Sequence, residues 1–146
     1  MKTAVLDTNV WLSGIFWKGN PSKIIQLGET GKIEIVITKP ILEEILEILK
    51  RESKFQRFLG DRRIVMEDLI RKILSISKFV ETKSHIELIE KDPDDNKILE
   101  AAVESKADYI ISGDAHLLDI KSFGETKILS PKQFLDLYYR DFETQL

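Results

Sequence analysis

The stretch TAVLD at Thr3–Asp7 runs four strand-forming, mostly apolar residues straight into an aspartate. Residues 109–114, YIISGD, repeat the arrangement with a second apolar run that leads to Asp114. Short apolar runs that stop at turn residues are typical of strands buried in a parallel sheet. Ligands bind beyond the carboxyl ends of such strands, so we predict Asp7 and Asp114 at the ligand-binding edge of one sheet. The alternative for each aspartate is a turn or capping role.

Strands and helices alternate along the rest of the chain. Strands are predicted at 33–37, 78–82 and 127–129, and helices at about 20–30, 38–53 and 92–106 and from Ser130 onward. This alternation predicts an α/β fold in which helices cover both faces of a central parallel sheet of about five strands. We predict a single domain over residues 1–146, with a helical hairpin at about 54–76.

The composition limits the classes of protein to which the chain can belong. Of its 146 residues 42% are hydrophobic and 32% are charged, which is ordinary for a globular domain. No stretch approaches the roughly 20 apolar residues of a membrane span, and no secretory signal is visible, so we expect a cytoplasmic protein without a membrane partner. The net charge of −3 is a mild argument against non-specific binding of nucleic acid.

The residue types also restrict any metal site. Cysteine is absent, which excludes disulfides and thiolate ligands for zinc. The two histidines, His85 and His116, cannot complete a zinc centre unaided. His116 and Asp119 follow Asp114 and could reach the rim of the site, although for His116 we favour a position in a surface loop. We therefore expect a hard cation held by oxygen ligands, Mg²⁺ or Mn²⁺.

Asp95 begins a predicted helix and points along its apolar face. Glu100 and Glu104 fall on the opposite face, which we expect to be solvent-exposed. The alternative is a dipole or capping role, since acids are favoured in a first helical turn. The residues at i+3, i+4, i+7 and i+8 from Asp95 are all apolar: Ile98, Leu99, Ala102 and Val103.

The helix that contains Pro40 has an apolar arc with a glutamate on either side. Glu43 and Glu44 flank the arc, and Glu44 lies slightly closer to its centre. Helical geometry therefore leaves two interpretations of Glu44 open, a site residue and an ordinary solvated glutamate.

If several of these carboxylates converge, either their pKa values rise or a cation neutralises them. A carboxylate-bound Mg²⁺ or Mn²⁺ would serve displacement at phosphorus.

Four short motifs stand out along the chain, LDTN at 6–9, ILEEI at 41–45, DPDDNK at 92–97 and ADYIISGD at 107–114. Their order and spacing resemble those of PIN domains, and the resemblance covers the chain from Thr3 to about Tyr138. The chain most resembles the group of that family that comprises toxins of VapC-type toxin–antitoxin systems. The resemblance implies a three-layer α/β/α sandwich and a divalent-metal-dependent ribonuclease that hydrolyses phosphodiester bonds of single-stranded RNA.

The same resemblance implies roles for individual residues. Asn9 and Ser112 match polar positions that support the acids, and Asp92 matches a further acid that is expected to face the site. The family more often has threonine at the position of Ser112, so the hydroxyl is retained. The family's four acids, which act as metal ligands and catalytic groups, match Asp7, Glu44, Asp95 and Asp114.

The implied partners are an RNA substrate, an antitoxin protein and a second copy of the chain in a homodimer. The basic segment Lys50–Arg63 could follow phosphates while Phe55 or Phe58 stacks on a base. We favour a solvated hairpin with both phenylalanines in the core. The aromatic residues between 11 and 17 are interpreted as core or oligomer interface.

Two other functional classes remain open. Phosphotransfer domains of haloacid-dehalogenase or receiver type also place acids at strand ends around magnesium. The former requires an aspartate two residues after Asp7, where this chain has Asn9, and the latter usually has an acidic pair at the end of the first strand. The second class is an inactive PIN-like module that binds RNA or protein, and the presence of all four acids argues against it.

Overall fold

The computed structural model describes residues 1–52, 55, 62–83 and 93–142. None of the helices in those ranges is long and apolar enough to cross a membrane. The described strands are β1 (Thr3–Leu6), β2 (Glu34–Ile37), β3 (Ser77–Phe79), β4 (Tyr109–Ile111), β5 (Ser122–Phe123) and β6 (Thr126–Leu129). The described helices are α1 (Thr8–Phe16), α2 (Asn20–Glu29), α3 (Lys39–Arg51), α4 (Arg62–Ile76), α5 (Pro93–Ser105), α6 (Ala115–Ile120) and α7 (Pro131–Leu137), with a π-helical turn at Tyr138–Phe142.

The strands form one sheet in the order β3-β2-β1-β4-β6-β5, flanked by helices. Neighbouring strands are parallel except for β5, which pairs antiparallel with β6. The predicted α/β fold with a central parallel sheet is therefore confirmed. The sequence prediction omitted β5 because a strand of two residues is too short to show any periodic pattern.

The strand order reverses between β1 and β4. From β1 the chain adds β2 and β3 on one side, and β4 then pairs with the other side of β1. Such a reversal is where open α/β sheets bind ligands. The register aligns Leu6 with Ile111, so Asp7 and Ser112 leave the sheet side by side. The Asp7 N–H also donates to the Ile111 carbonyl at 3.1 Å.

The sequence pattern does not predict α1 and α6, the helices that follow the acids of β1 and β4. Consecutive residues of α1 are buried, among them Val10, Trp11 and Leu12, so the helix lacks the one-sided apolar stripe of a surface helix. The six residues of α6 are too few for a clear pattern. Trp11 lies in the core, as interpreted, whereas the side chain of Trp17 is exposed.

The face predicted for α5 is wrong at two positions. Val103, which was assigned to the core, is 42% exposed, and Glu100, which was assigned to solvent, is 9% exposed. The reason is that α5 packs against β1, β2, β4 and α3, so burial extends around more of the helix than one stripe. Asp95 is buried as predicted.

The predicted hairpin at about 54–76 is only partly described. Its second half is α4, while residues 54 and 56–61, including Phe58, lie outside the described residues. Phe55 is buried and packs against Phe16 and Trp17, with ring centroids 5.1 and 5.6 Å away. The core interpretation of Phe55 is confirmed, and this ring is not available to stack on a base.

Candidate functional site

A polar pocket of about 140 Å³ lies at the carboxyl edge of the sheet, next to the reversal of strand order. All four of the acids proposed from sequence line it, although they come from four separate parts of the chain. The remaining lining residues are two polar residues of α1 and two isoleucines. The full set is Asp7, Thr8, Asn9, Glu44, Ile48, Asp95, Ile98 and Asp114.

Asp7 is fixed where β1 ends and α1 begins. Its Oδ1 accepts a hydrogen bond from the Val10 N–H at 2.8 Å, which caps α1. Its Oδ2 accepts a hydrogen bond from the Ser112 hydroxyl. Burial raises the pKa of Asp7 and the charge of Asp114 adds to this rise, while the bonds from Ser112 and Val10 lower it. One oxygen of Asp7 caps the helix while the side chain also lines the pocket, so the capping role does not exclude the predicted site role.

Ser112 links the two strand-end acids. Its side chain is fully buried, its hydroxyl donates to Asp7, and the same oxygen accepts the N–H of Asp114 at 2.9 Å. Asp114 in turn caps α6, since its Oδ1 accepts the N–H of His116 at 2.7 Å. One serine hydroxyl thus contacts both strand-end acids, through the carboxylate of Asp7 and the backbone of Asp114.

Glu44 reaches the pocket from the middle of α3. The Thr8 hydroxyl, which is buried, donates to Glu44 Oε2 at 2.8 Å. The neighbouring Glu43 instead points to solvent, where its Oε1 lies 3.8 Å from Lys39 Nζ. The two glutamates that helical geometry could not separate therefore have different surroundings, and Glu44 is the one beside the other acids.

Asp95, Asp114 and His116 form a cluster of side chains that carry metal-ligating atoms. One ligand atom from each lies within 4.8 Å of the others. Asp95 is buried at the start of α5, while His116 is exposed in the first turn of α6. The donor set fits a divalent cation, since it gathers negative charge in a polar pocket where burial already raises the pKa of Asp7.

The supporting residues differ in what the structure describes. Ser112 makes the contacts expected of a residue that holds the acids. Asn9 is exposed and lines the pocket. Asp92 lies outside the described residues.

Sequence reasoning missed one polar residue beside the site and favoured a surface loop for another that it had also considered for the rim of the site. Thr8 was passed over because a threonine after a strand-end acid has no periodic signal, although its place between Asp7 and Asn9 was a clue. His116 was interpreted as a surface-loop residue, yet it belongs to α6 and stands beside Asp114. Its position two residues after Asp114 was the available signal, because the first turn of a helix keeps residues i and i+2 close when residue i is the cap.

Comparisons with known proteins found similar sequences and a similar fold. The family model described as PIN domain matches residues 3–116. The uncharacterized protein MJ1680 of Methanocaldococcus jannaschii is 30% identical over 142 residues, which cover 90% of this chain and 88% of that protein. A chain of the crystal structure of VapBC2 from Rickettsia felis, bound to a DNA fragment from their promoter, matches with a TM-score of 0.59 and 14% identity. That match covers 86% of this chain and 96% of the other, and it shows a shared fold.

Proposed function

The chain belongs to the PIN domain family, and on this basis we propose that it is a divalent-metal-dependent endoribonuclease that hydrolyses phosphodiester bonds of single-stranded RNA. One observation carries the proposal: Asp7, Glu44, Asp95 and Asp114 line a single pocket at the carboxyl edge of the sheet. Such a group of carboxylates is stable at neutral pH when protons or a cation offset its charge. The oxygen donors suit Mg²⁺ or Mn²⁺.

In this proposal the acids bind the cation and the hydroxyl groups orient the acids. Asp7, Asp95 and Asp114 hold the cation, with Glu44 as a further ligand. When bound, a divalent ion lowers the pKa of water and offsets the charge that develops on the phosphate. The hydroxyls of Ser112 and Thr8 fix the orientation of Asp7 and Glu44. One carboxylate of the set would accept the proton of the attacking water as the water oxygen bonds to phosphorus. The bond between phosphorus and the leaving oxygen then breaks, and that oxygen takes up a proton from solvent or from the protonated carboxyl.

The pocket is smaller than the sites that usually enclose a whole small-molecule ligand. Sites that enclose a small-molecule ligand usually measure about 300–1,000 Å³. The pocket here measures about 140 Å³, which suits one phosphodiester group and its immediate surroundings. The flanking nucleotides would therefore lie on the surrounding surface, as expected for an extended strand.

The VapC-like part of the proposal concerns partners and location. We infer that the protein acts in the cytoplasm as the toxin of a toxin–antitoxin pair, with an antitoxin that covers the acidic pocket. The fold shared with a chain of the VapBC2 complex supports this inference. We also infer a homodimer, and sedimentation as a monomer at high protein concentration would remove that idea.

Cleavage of a labelled single-stranded RNA with Mg²⁺ or Mn²⁺ tests the proposal. We expect metal-dependent cutting by the wild type and its loss in Asp7→Asn and Asp114→Asn. Glu44→Gln and Glu43→Gln form a matched pair, because only the first residue lines the pocket. Glu44→Gln should lose activity, and Glu43→Gln should retain it. Equal cutting by all of these variants would indicate a contaminating nuclease and would overturn the proposal.

Two results would favour the other classes. Release of phosphate from a phosphomonoester, without cutting of RNA, would favour a phosphotransfer domain. Binding of RNA or a protein partner without cleavage in either metal would favour the inactive binding module.

A further inference from the structure

His116 stands beside the acids of the pocket. A ring nitrogen of His116 and one carboxylate oxygen each of Asp95 and Asp114 lie within 4.8 Å of one another. Ligand atoms around a single divalent ion are about 3–4 Å apart when each is roughly 2.1 Å from the metal. The three groups therefore need only small side-chain adjustments to share one ion.

A hydrogen bond holds the backbone of His116 next to Asp114. Its N–H donates to Asp114 Oδ1 at 2.7 Å, so the capping bond of α6 ties the histidine to one of the acids. Its Nδ1 lies 3.9 Å from the same oxygen. The side chain is 72% exposed, which leaves space for its ring to turn toward the pocket.

We propose that His116 is a nitrogen ligand of the bound cation and that the site consequently prefers a first-row transition ion to Mg²⁺. The inference rests on the proposed function. Mg²⁺ selects oxygen ligands and gains little from an imidazole. Transition ions bind imidazole with an affinity that rises from Mn²⁺ to Co²⁺. An imidazole added to the carboxylates thus makes a mixed site, which departs from the all-oxygen site expected from the sequence.

Binding measurements with single metals test the preference. Isothermal titration calorimetry would give the Kd of Mg²⁺, Mn²⁺ and Co²⁺ for the wild type, His116→Gln and Asp119→Asn. Glutamine keeps a polar oxygen but removes the ring nitrogen. Asp119 is an exposed acid of the same helix and does not line the pocket, so its variant controls for a change of charge on α6.

The expected losses follow the affinity of each ion for nitrogen. In His116→Gln the Kd for Co²⁺ should rise about tenfold or more and that for Mn²⁺ by less, as for the loss of a group that supports a metal. The Kd for Mg²⁺ should change by less than about twofold. Asp119→Asn should resemble the wild type with all three ions. Equal losses for all three ions in His116→Gln, or none, would overturn the inference.

A spectroscopic measurement detects the bond directly. Pulsed EPR of the Mn²⁺-loaded protein reports a nitrogen nucleus bonded to the metal, and this signal should disappear in His116→Gln. Its persistence in that variant would contradict the assignment to His116. Because the measurement requires no turnover, it is independent of activity.

Asp95→Asn separates this inference from the proposed function. If the wild type binds no divalent ion, the proposed metal-dependent activity fails and the inference fails with it. If the wild type binds all three ions and Asp95→Asn raises the Kd of all three, the acidic metal site of the proposed function is supported. The role of His116 is then decided by the order of losses in His116→Gln alone.

Discussion

The Thr8 hydroxyl donates a hydrogen bond of 2.8 Å to Glu44 Oε2 and so joins the start of α1 to the middle of α3. Thr8 directly follows Asp7, which caps the same helix. The first turn of α1 therefore contributes one site carboxylate itself and orients a second. The orientation of Glu44 depends on how α1 packs against α3.

Replacing Thr8 by valine should reduce the rate of RNA cleavage without unfolding the protein. Valine keeps the shape of the side chain but loses the donor, and a hydrogen bond to a charged group contributes about 1.5–3 kcal/mol. We expect a fall in kcat of about tenfold, with a smaller change in KM, because Thr8 acts through Glu44. Thr8→Ser restores the hydroxyl and should recover most of the rate. Equal defects in both variants would show that packing, not the hydrogen bond, is the role of Thr8.

Ser112→Ala should shift the pH dependence of cleavage toward alkaline pH. The Ser112 hydroxyl lowers the pKa of Asp7, so its loss lets burial raise that pKa further. Because Asp7 must be ionised to hold a cation, the acid limb of the pH–rate profile should move to higher pH. Ser112→Thr keeps the hydroxyl and should leave the limb in place. A profile that does not move in Ser112→Ala would contradict this link.

Asp7→Asn should raise the thermal stability of the metal-free protein at neutral pH. Burial raises the pKa of folded Asp7 above its unfolded value, so the protonated side chain favours the folded state. This contribution to the free energy of unfolding is present below the unfolded pKa and is lost as pH rises through the folded pKa. At neutral pH the neutral asparagine therefore removes the cost of a buried charge. Asparagine also caps helices well, so α1 should keep its start. The Tm difference from wild type, measured in EDTA, should be larger at pH 7 than near pH 4. Asp119→Asn, at an exposed position, should show no such change with pH.

Gly14→Ala should lower the free energy of unfolding by disturbing a contact between helices that is not part of the pocket. A Cβ at Gly14 would lie 2.6 Å from Ile25 Cγ1 and 2.9 Å from the Pro21 carbonyl oxygen, so α1 and α2 would have to move apart. Overpacking of this kind costs about 1–3 kcal/mol of unfolding free energy. Gly113→Ala is the control, because a Cβ there meets no atom within 4 Å. Urea denaturation of the two variants should separate them, and equal midpoints would contradict the close packing at Gly14.

The sequence predicted the parts of this structure that depend on local pattern. Apolar strands that end in acids predicted the parallel sheet and put Asp7 and Asp114 at one edge, because side-chain burial and strand direction follow from short-range order. Helical geometry could not separate Glu43 from Glu44, since both flank the apolar arc of α3, and only the resemblance to PIN domains selected Glu44. Their difference arises from Thr8, 36 residues away from Glu44 in the chain.

The errors have two physical origins. Val103 and Glu100 were assigned to the wrong environments because α5 contacts three strands and α3, which no single helical stripe reveals. Contacts between distant segments decide these two positions, and one sequence records them only weakly. His116 was assigned to a surface loop for a different reason, because the short helix α6 leaves no pattern in the sequence.

Removing the metal should lower the Tm of the wild type, whereas Asp7→Asn should raise the Tm of the metal-free protein. A ligand that binds only the folded state at 100 times its Kd stabilises it by about 2.7 kcal/mol, which corresponds to several degrees in a domain of this size. The Tm should therefore rise with Mn²⁺ concentration in the wild type and in Glu43→Gln. It should rise much less in Asp7→Asn and Asp95→Asn, because each lacks a carboxylate of the pocket. An equal rise in all four proteins would place the stabilising metal elsewhere on the molecule.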